Sequence, residues 1–143
     1  MNEPSYLKYI GDKGVRTVTD AEQFIENVAR KSYRDNGFGH YIVELRDSGT
    51  PIGTCGYVKR DELEYPDIGF AFLPQFCKQG YAFESARAVL SHGFDAFGLK
   101  NISAITTQNN ENSGKLLAKL GLEFERLIEM PSGEKLKLFT IGL

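Results

Sequence analysis

The eight residues Cys77–Glu84, read Cys-Lys-Gln-Gly-Tyr-Ala-Phe-Glu, lie between a predicted strand and a predicted helix. A helix begins with backbone N–H groups that have no partner inside it, and the positive end of its dipole lies beside them. A polar loop that feeds such a helix is a seat for a phosphate. Gly80 lets the backbone approach a ligand and take φ/ψ values closed to other residues, and Ala82 leaves the first turn uncrowded. The segment is neither a Walker loop, which needs Gly-Lys-Ser/Thr, nor a G-x-G-x-x-G turn. Taken alone it reads equally well as an ordinary strand-to-helix turn.

A second segment adds weight. Residues 106–125, TTQNNENSGKLLAKLGLEFE, join an Asn-rich loop to a short helix and a Gly stop. Asn110 and Asn112 can hydrogen-bond the amides of an extended ligand. One of the two, expected to be Asn112, caps the helix instead. Glu64, Asp67 and His40, on or near predicted strands, are the candidates for a base. Of these only His40 has an ordinary pKa near neutrality. Cys77 has no His near it in sequence, which argues against an activated nucleophilic thiol.

The elements that position these residues follow from periodicity. Thr19 to Glu22 reads as a capping box, and Ala21, Phe24, Ile25, Val28 and Ser32 recur at helical spacing, so a helix is expected from about Asp20 to Arg34. Asn36–Gly37 ends it. Strands follow at Tyr41–Leu45, at Ile52–Val58 and at Asp67–Leu73, with Pro74 as the stop. Gly53 and Gly56 inside the second strand point to a bulge or a close backbone approach. The period then changes, and Phe83, Ala86, Leu90, Phe94 and Phe97 form one helical stripe closed by Gly98. NISAITT is a short strand. Asn112–Ser113 opens a helix with Leu116, Leu117 and Leu120, closed by Gly121. LEFERLIEM then alternates, with Leu122, Phe124, Ile128 and Met130 expected on one face, and Pro131–Ser132–Gly133 turns the chain into a last strand. The order α-β-β-β-α-β-α-β-β predicts an α+β fold: a mixed sheet with one right-handed β-α-β crossover over Asp67–Thr107. With no repeat or linker, residues 1–143 read as a single domain.

IGFAFLPQFCKQGYAFESARAVLSHGF, followed by NNENSGKLLAKLGLEFE, resembles the GNAT superfamily. More closely it resembles the branch of the ribosomal-protein N-acetyltransferases (the RimJ/RimL type). The branch pattern is a strand IGY/F-x-L-x-P, a loop W-G-x-G-Y-A-x-E-A and a later N-x-x-S ahead of K-L-G-F. Here IGF, QGYAFESA, NENS and AKLGL match it, and with PIGTCGYV the likeness covers nearly the whole chain. The resemblance implies a GNAT fold with a splayed parallel strand pair, and acetyl-CoA as co-substrate. It implies that the pyrophosphate rests on the N–H groups of Lys78, Gln79, Gly80, Tyr81, Ala82 and Phe83. It implies a pantetheine arm between Phe70–Leu73 and Ala104–Thr107, with Phe72, Leu73, Asn110 and Asn112 as contacts. The backbone N–H around Phe72 is the implied oxyanion donor. Many GNAT enzymes use a Tyr on the helix after the Asn loop as the acid; none is present here, and Ser113 takes the corresponding role. Glu84 matches a family Glu and is expected to favour the helix N-terminus electrostatically. Cys77–Lys78 replaces the aromatic–Gly pair of the family, and Leu122 replaces Phe. Family members begin with a further strand and helix upstream of this Met1, so the first strand of the sheet is expected to be missing.

Composition bounds the function. Apolar residues make up 41% and charged residues 25%, the proportions of an ordinary globular chain. The net charge is -2 and no basic run exceeds two residues, which excludes nucleic acid as the main partner. No apolar stretch is long enough for a membrane span. The two cysteines, Cys55 and Cys77, form neither a disulfide framework nor a metal site, so no metal is expected and a reducing cytoplasm is. The expected function is acyl transfer from acetyl-CoA to an amine, either a protein N-terminus or a small molecule. An α-amine, with a pKa of about 8, is easier to deprotonate than lysine at about 10.4. The alternatives are a non-catalytic CoA-binding module and a ligand-free structural domain. An edge left by the short N-terminus would favour a homodimer.

Overall fold

The structure, a computed structural model, describes residues 1–143. A short helix not foreseen from the sequence, α1 (Pro4–Tyr9), comes first, with proline in its opening turn. The next helix is capped two residues earlier than expected. Thr17 Oγ accepts from the Asp20 backbone at 3.1 Å, and Asp20 Oδ2 accepts from the Thr17 and Arg16 backbones, each at 3.0 Å. Asp20 can answer two N–H groups at once, which Glu22 in the Thr19 register does not do. The helical segments are α2 (Val18–Phe24), a π-helical turn (Ile25–Arg30) and α3 (Lys31–Asn36), ended by Gly37 at φ 77°. The extra residue of a π turn rotates the apolar stripe. Ile25 and Val28 are each 52% exposed, and none of these segments contains a buried residue.

Six strands make one mixed sheet: β1 (His40–Glu44), β2 (Pro51–Val58), β3 (Asp67–Phe72), β4 (Asn101–Thr107), β5 (Glu123–Glu129) and β6 (Lys135–Gly142). Their spatial order is β1-β2-β3-β4-β6-β5. β1 forms one edge of the sheet and β5 the other. All neighbours are antiparallel except β3 and β4, which are parallel and joined through α4 (Tyr81–Asp95). In β5 the expected alternation is broken: the register shifts between Phe124 and Arg126. One extra residue there moves Ile128 to the face opposite Phe124 and brings Leu127 onto Phe124's face.

The core lies on one face of the sheet. Cys55 and Tyr57 of β2, Ile68 of β3, Ile102 and Ala104 of β4 and Phe139 of β6 pack against Ala86 and Leu90 of α4 and Leu117 of α5 (Glu111–Lys119). Burying Leu117 stabilises the fold by roughly 1.5–3 kcal/mol. Cys55 is wholly buried, as expected of a small core residue, and burial pushes its thiol up to about 12. Tyr57 spans sheet and helix: its hydroxyl donates to the Val89 carbonyl at 2.8 Å, and Gly93 leaves room for its ring.

Candidate active site

The parallel strands β3 and β4 form one ladder pair only, Asp67 with Ser103, and then diverge. Ser103 fixes that apex. Its N–H donates to the Pro66 carbonyl at 2.9 Å and its hydroxyl to the Tyr65 carbonyl at 2.9 Å. Beyond the apex the backbone polarity follows from the outer ladders. In an antiparallel ladder, alternate residues turn N–H and C=O toward the partner. The Leu73 N–H donates to the Ile52 carbonyl at 2.9 Å, so Leu73, Ala71 and Gly69 face β2. Phe70 and Phe72 therefore face β4. On the far side the Leu143 N–H donates to the Lys100 carbonyl at 3.0 Å, which turns Ile102, Ala104 and Thr106 toward β6 and leaves Ile105 and Thr107 facing β3. The wedge between the strands is thus walled by backbone groups of Phe70, Phe72, Ile105 and Thr107 with no strand opposite them.

The loop at the wide end carries the second half of the site. No backbone N–H from Lys78 through Phe83 donates to any group in the chain, and the first that does is Glu84, to the Gly80 carbonyl at 3.0 Å. Six successive N–H groups at the head of a fifteen-residue helix are an anion seat. Gly80 takes φ 86°, and a Cβ on it would meet nothing within 4 Å. Lys78 is the one non-glycine residue with positive φ, at 59°. That left-handed backbone costs roughly 1–2 kcal/mol and is free for glycine, the residue the family pattern has there.

Residues 1–123 match the family described as Acetyltransferase (GNAT) domain. The chain belongs to the GNAT acetyltransferase family. Two Bacillus subtilis proteins named uncharacterized N-acetyltransferases are similar to it. YoaA is 30% identical over 122 residues, spanning 85% of this chain and 68% of its own length. YnaD is 31% identical over 136 residues, spanning 94% and 76%. The GNAT-family acetyltransferase of Bacillus anthracis superposes with a TM-score of 0.78 at 26% identity, covering 98% of this chain and 82% of that one.

The GNAT family's donor, acetyl-CoA, is an arm bearing two amides that ends in phosphates, and the residues here fit it. Besides the unbonded backbone groups, the hydroxyls of Thr106 and Thr107 are buried without a hydrogen-bond partner. Buried polar atoms of that kind cost free energy unless something answers them.

Several expected site residues stand at or just beyond the diverging ends of β3 and β4: Phe72 and the loop Lys78–Phe83 after the first, and Asn110, Asn112 and Ser113 after the second. Asn110, not Asn112, caps α5, its Oδ1 accepting from the Ser113 N–H at 3.3 Å. The helix starts at Glu111, one residue before the expected opening, so Asn112 stands exposed inside its first turn. The Leu73 N–H is committed to Ile52, which leaves its side chain alone to face a ligand. The Ser113 hydroxyl is half-buried and makes no hydrogen bond in the chain.

The two carboxylates lie elsewhere. Asp67 is at the closed apex, five residues and about 17 Å of strand from Phe72, and Glu64 is exposed on the loop before it. Neither touches an atom held at Phe72, so the structure does not bring the expected base and oxyanion donor together. Asp67 is 3% exposed and accepts from Arg60 Nε at 3.0 Å. Phe70, Ile105, Thr106 and Thr107 lie in the two strand stretches expected to flank the arm, and strand register decides which of them turn their backbone toward it.

Burial pushes the Asp67 carboxyl up to about 6 from its ordinary 3.8, although the Arg60 cation pulls the other way. Between those values the native state holds a proton that the unfolded chain has released. Asp67 therefore contributes stability fully below pH 3.8 and loses it as pH rises through about 6. Denaturant midpoints of the chain and of Asp67→Asn should show this. From pH 4 to 7 the difference moves in the variant's favour by on the order of 2 kcal/mol. A constant difference across that window would mean the carboxyl titrates as an exposed one does.

Proposed function

We propose that this chain is an N-acetyltransferase that takes its acyl group from acetyl-CoA and gives it to a primary amine. The observation that supports this best is the continuity of unbonded backbone: Lys78–Phe83 at the head of α4, then Phe72 and Phe70 down one wall of the wedge. The loop N–H groups hold the phosphates, and Lys78 adds a cation beside them. Asn112, exposed next to the capping Asn110, bonds the outer part of the arm. The N–H groups of Phe72 and, nearer the apex, Phe70 supply fixed donors where negative charge develops on the carbonyl oxygen. When bound, acetyl-CoA supplies a thioester whose carbonyl carbon an amine can attack directly. The Ser113 hydroxyl donates to the departing sulfur. Asp67 holds Arg60 in place, and Glu64 stays solvated outside the reaction.

The acceptor proposed is a protein N-terminus, as in the ribosomal-protein branch whose motifs the chain carries, or a small-molecule amine of similarly low pKa. The test is thiol release from acetyl-CoA over a panel of N-terminal peptides, lysine-side-chain peptides and polyamines at pH 7. Peptides with a free α-amine should show the highest kcat/KM, because about a tenth of such amines are neutral there against well under a hundredth of lysines. Tight binding of acetyl-CoA without turnover on any amine would leave a non-catalytic CoA-binding module as the reading.

A further inference from the structure

Three strands bring one unbonded imidazole to the apex of the wedge. His40 on β1, Gly56 on β2 and Gly69 on β3 are direct cross-strand partners in one row. Such a row shares one face, opposite the helices, since Cys55 and Tyr57 flank Gly56 and point into the helix-covered core. Neither glycine raises a side chain under the ring. His40 consequently lies across the sheet: a Cβ on Gly69 would be 3.3 Å from its Nε2 and 3.4 Å from its Cε1. Gly69 precedes Phe70, whose backbone opens into the wedge. With strands about 4.8 Å apart, Nε2 stands within about 6 Å of the line along which the wedge opens.

The ring nitrogens of His40 make no hydrogen bond in the chain, whereas its backbone carbonyl is held by the Tyr33 hydroxyl. The other titratable groups near the apex are already committed or turned away. Asp67 is bound to Arg60, and Glu64 is exposed. His40 is thus the one basic lone pair at the narrow end that remains available.

We propose that His40 is the general base of this chain, its Nε2 taking the proton of the acceptor ammonium, directly or through one water. The inference rests on the acetyl-CoA reading above, with the reacting carbonyl at the Phe70 end. The proton moves from the ammonium nitrogen to Nε2, which leaves a neutral amine with its lone pair, and the imidazolium then returns the proton to solvent. The charged group acting on the ring is Arg60, after β2. Asp67, which holds Arg60, lies on the same face of β3 as Gly69, whereas the Tyr33 phenol of α3 packs on Tyr41 and reaches only the His40 carbonyl. Burial, and then the Arg60 cation, hold the imidazole below its ordinary 6.5, so at pH 7 it is neutral and able to accept.

The chain has two histidines, and His92, on α4, packs edge-on against Phe97 at 4.7 Å on the opposite face. It is an internal control for nitrogen-15 imidazole spectra. Adding acetyl-CoA should move the His40 cross-peaks and leave those of His92 in place. The His40 titration midpoint should match the acidic limb of kcat/KM on the best amine of the panel. His40→Gln should remove that limb and lower kcat by about 100-fold or more, with the dissociation constant for acetyl-CoA unchanged. Movement of the Lys78–Phe83 amides without movement of His40 would overturn the assignment and leave the acetyl-CoA reading standing. Retention of the limb in His40→Gln would overturn it equally. If neither loop nor imidazole responds, the acetyl-CoA reading falls and this inference falls with it.

Discussion

Acetyl-CoA at about 100 times its dissociation constant is expected to stabilise the chain by about 2.7 kcal/mol, and Gly80→Asp to abolish that gain. For a domain of this length the gain corresponds to a rise of about 10 °C in melting temperature. The variant isolates binding from folding. A Cβ at position 80 meets no protein atom within 4 Å, so an Asp there has room beside the loop N–H groups. It places a negative charge where phosphates would sit and offers its own oxygens to those donors. The cost to the fold is the left-handed backbone, φ 86°, at roughly 1–2 kcal/mol, and Asp is among the residues that tolerate it best. Gly80→Ala carries similar strain without the charge, and should keep much of the ligand-induced rise. Loss of the rise in both variants would assign the effect to backbone geometry. A full rise in Gly80→Asp would mean that the loop does not hold the phosphates.

The loop could be read from sequence because its properties are local. A helix N-terminus exposes its N–H groups whatever it packs against, and Gly80 announces the turn. The walls of the wedge could not be read that way. Whether Phe70 or Ala71 turns its N–H into the cleft is decided by the pairing of Leu73 with Ile52, twenty-one positions back in the chain. Ile105 and Thr107 likewise owe their direction to the ladder with β6. Cap positions fall between these cases. Thr17 with Asp20 and Thr19 with Glu22 both satisfy the capping pattern, and the choice falls to Asp20 because its one oxygen answers both Arg16 and Thr17. Asn110 displaces Asn112 for a comparable reason, since the turn bond from its N–H to the Thr107 carbonyl at 3.2 Å already sets it at the helix entrance. The β5 bulge and the π turn each insert a residue into a regular period. Neither carries a glycine or proline to mark it.

Replacing Gly56 by alanine is expected to cost about 3 kcal/mol, the upper end of the usual overpacking penalty. The sequence suggested a bulge or a close approach at this glycine, and the structure has the close approach. A Cβ there would collide with the Gly39 carbonyl oxygen and would lie 2.5 Å from the His40 Cα. Both are backbone atoms and cannot rotate aside. Relief requires β1 to move off β2, which gives up the pairing of His40 with Gly56. Gly69 is a useful contrast, because a Cβ there meets only the His40 ring, at 3.3 Å, and a ring can turn. Urea unfolding should therefore show a large drop in midpoint for Gly56→Ala, equivalent to about 10 °C in melting temperature, and a smaller one for Gly69→Ala. The contact involves Gly39 and His40 and no residue of Lys78–Phe83, so whatever folded protein remains should still bind acetyl-CoA if that loop holds it. A Gly56→Ala variant within about 0.5 kcal/mol of the parent would mean that β1 slides freely at the sheet edge. In that case the row that carries His40 to the apex would not be held by its glycines.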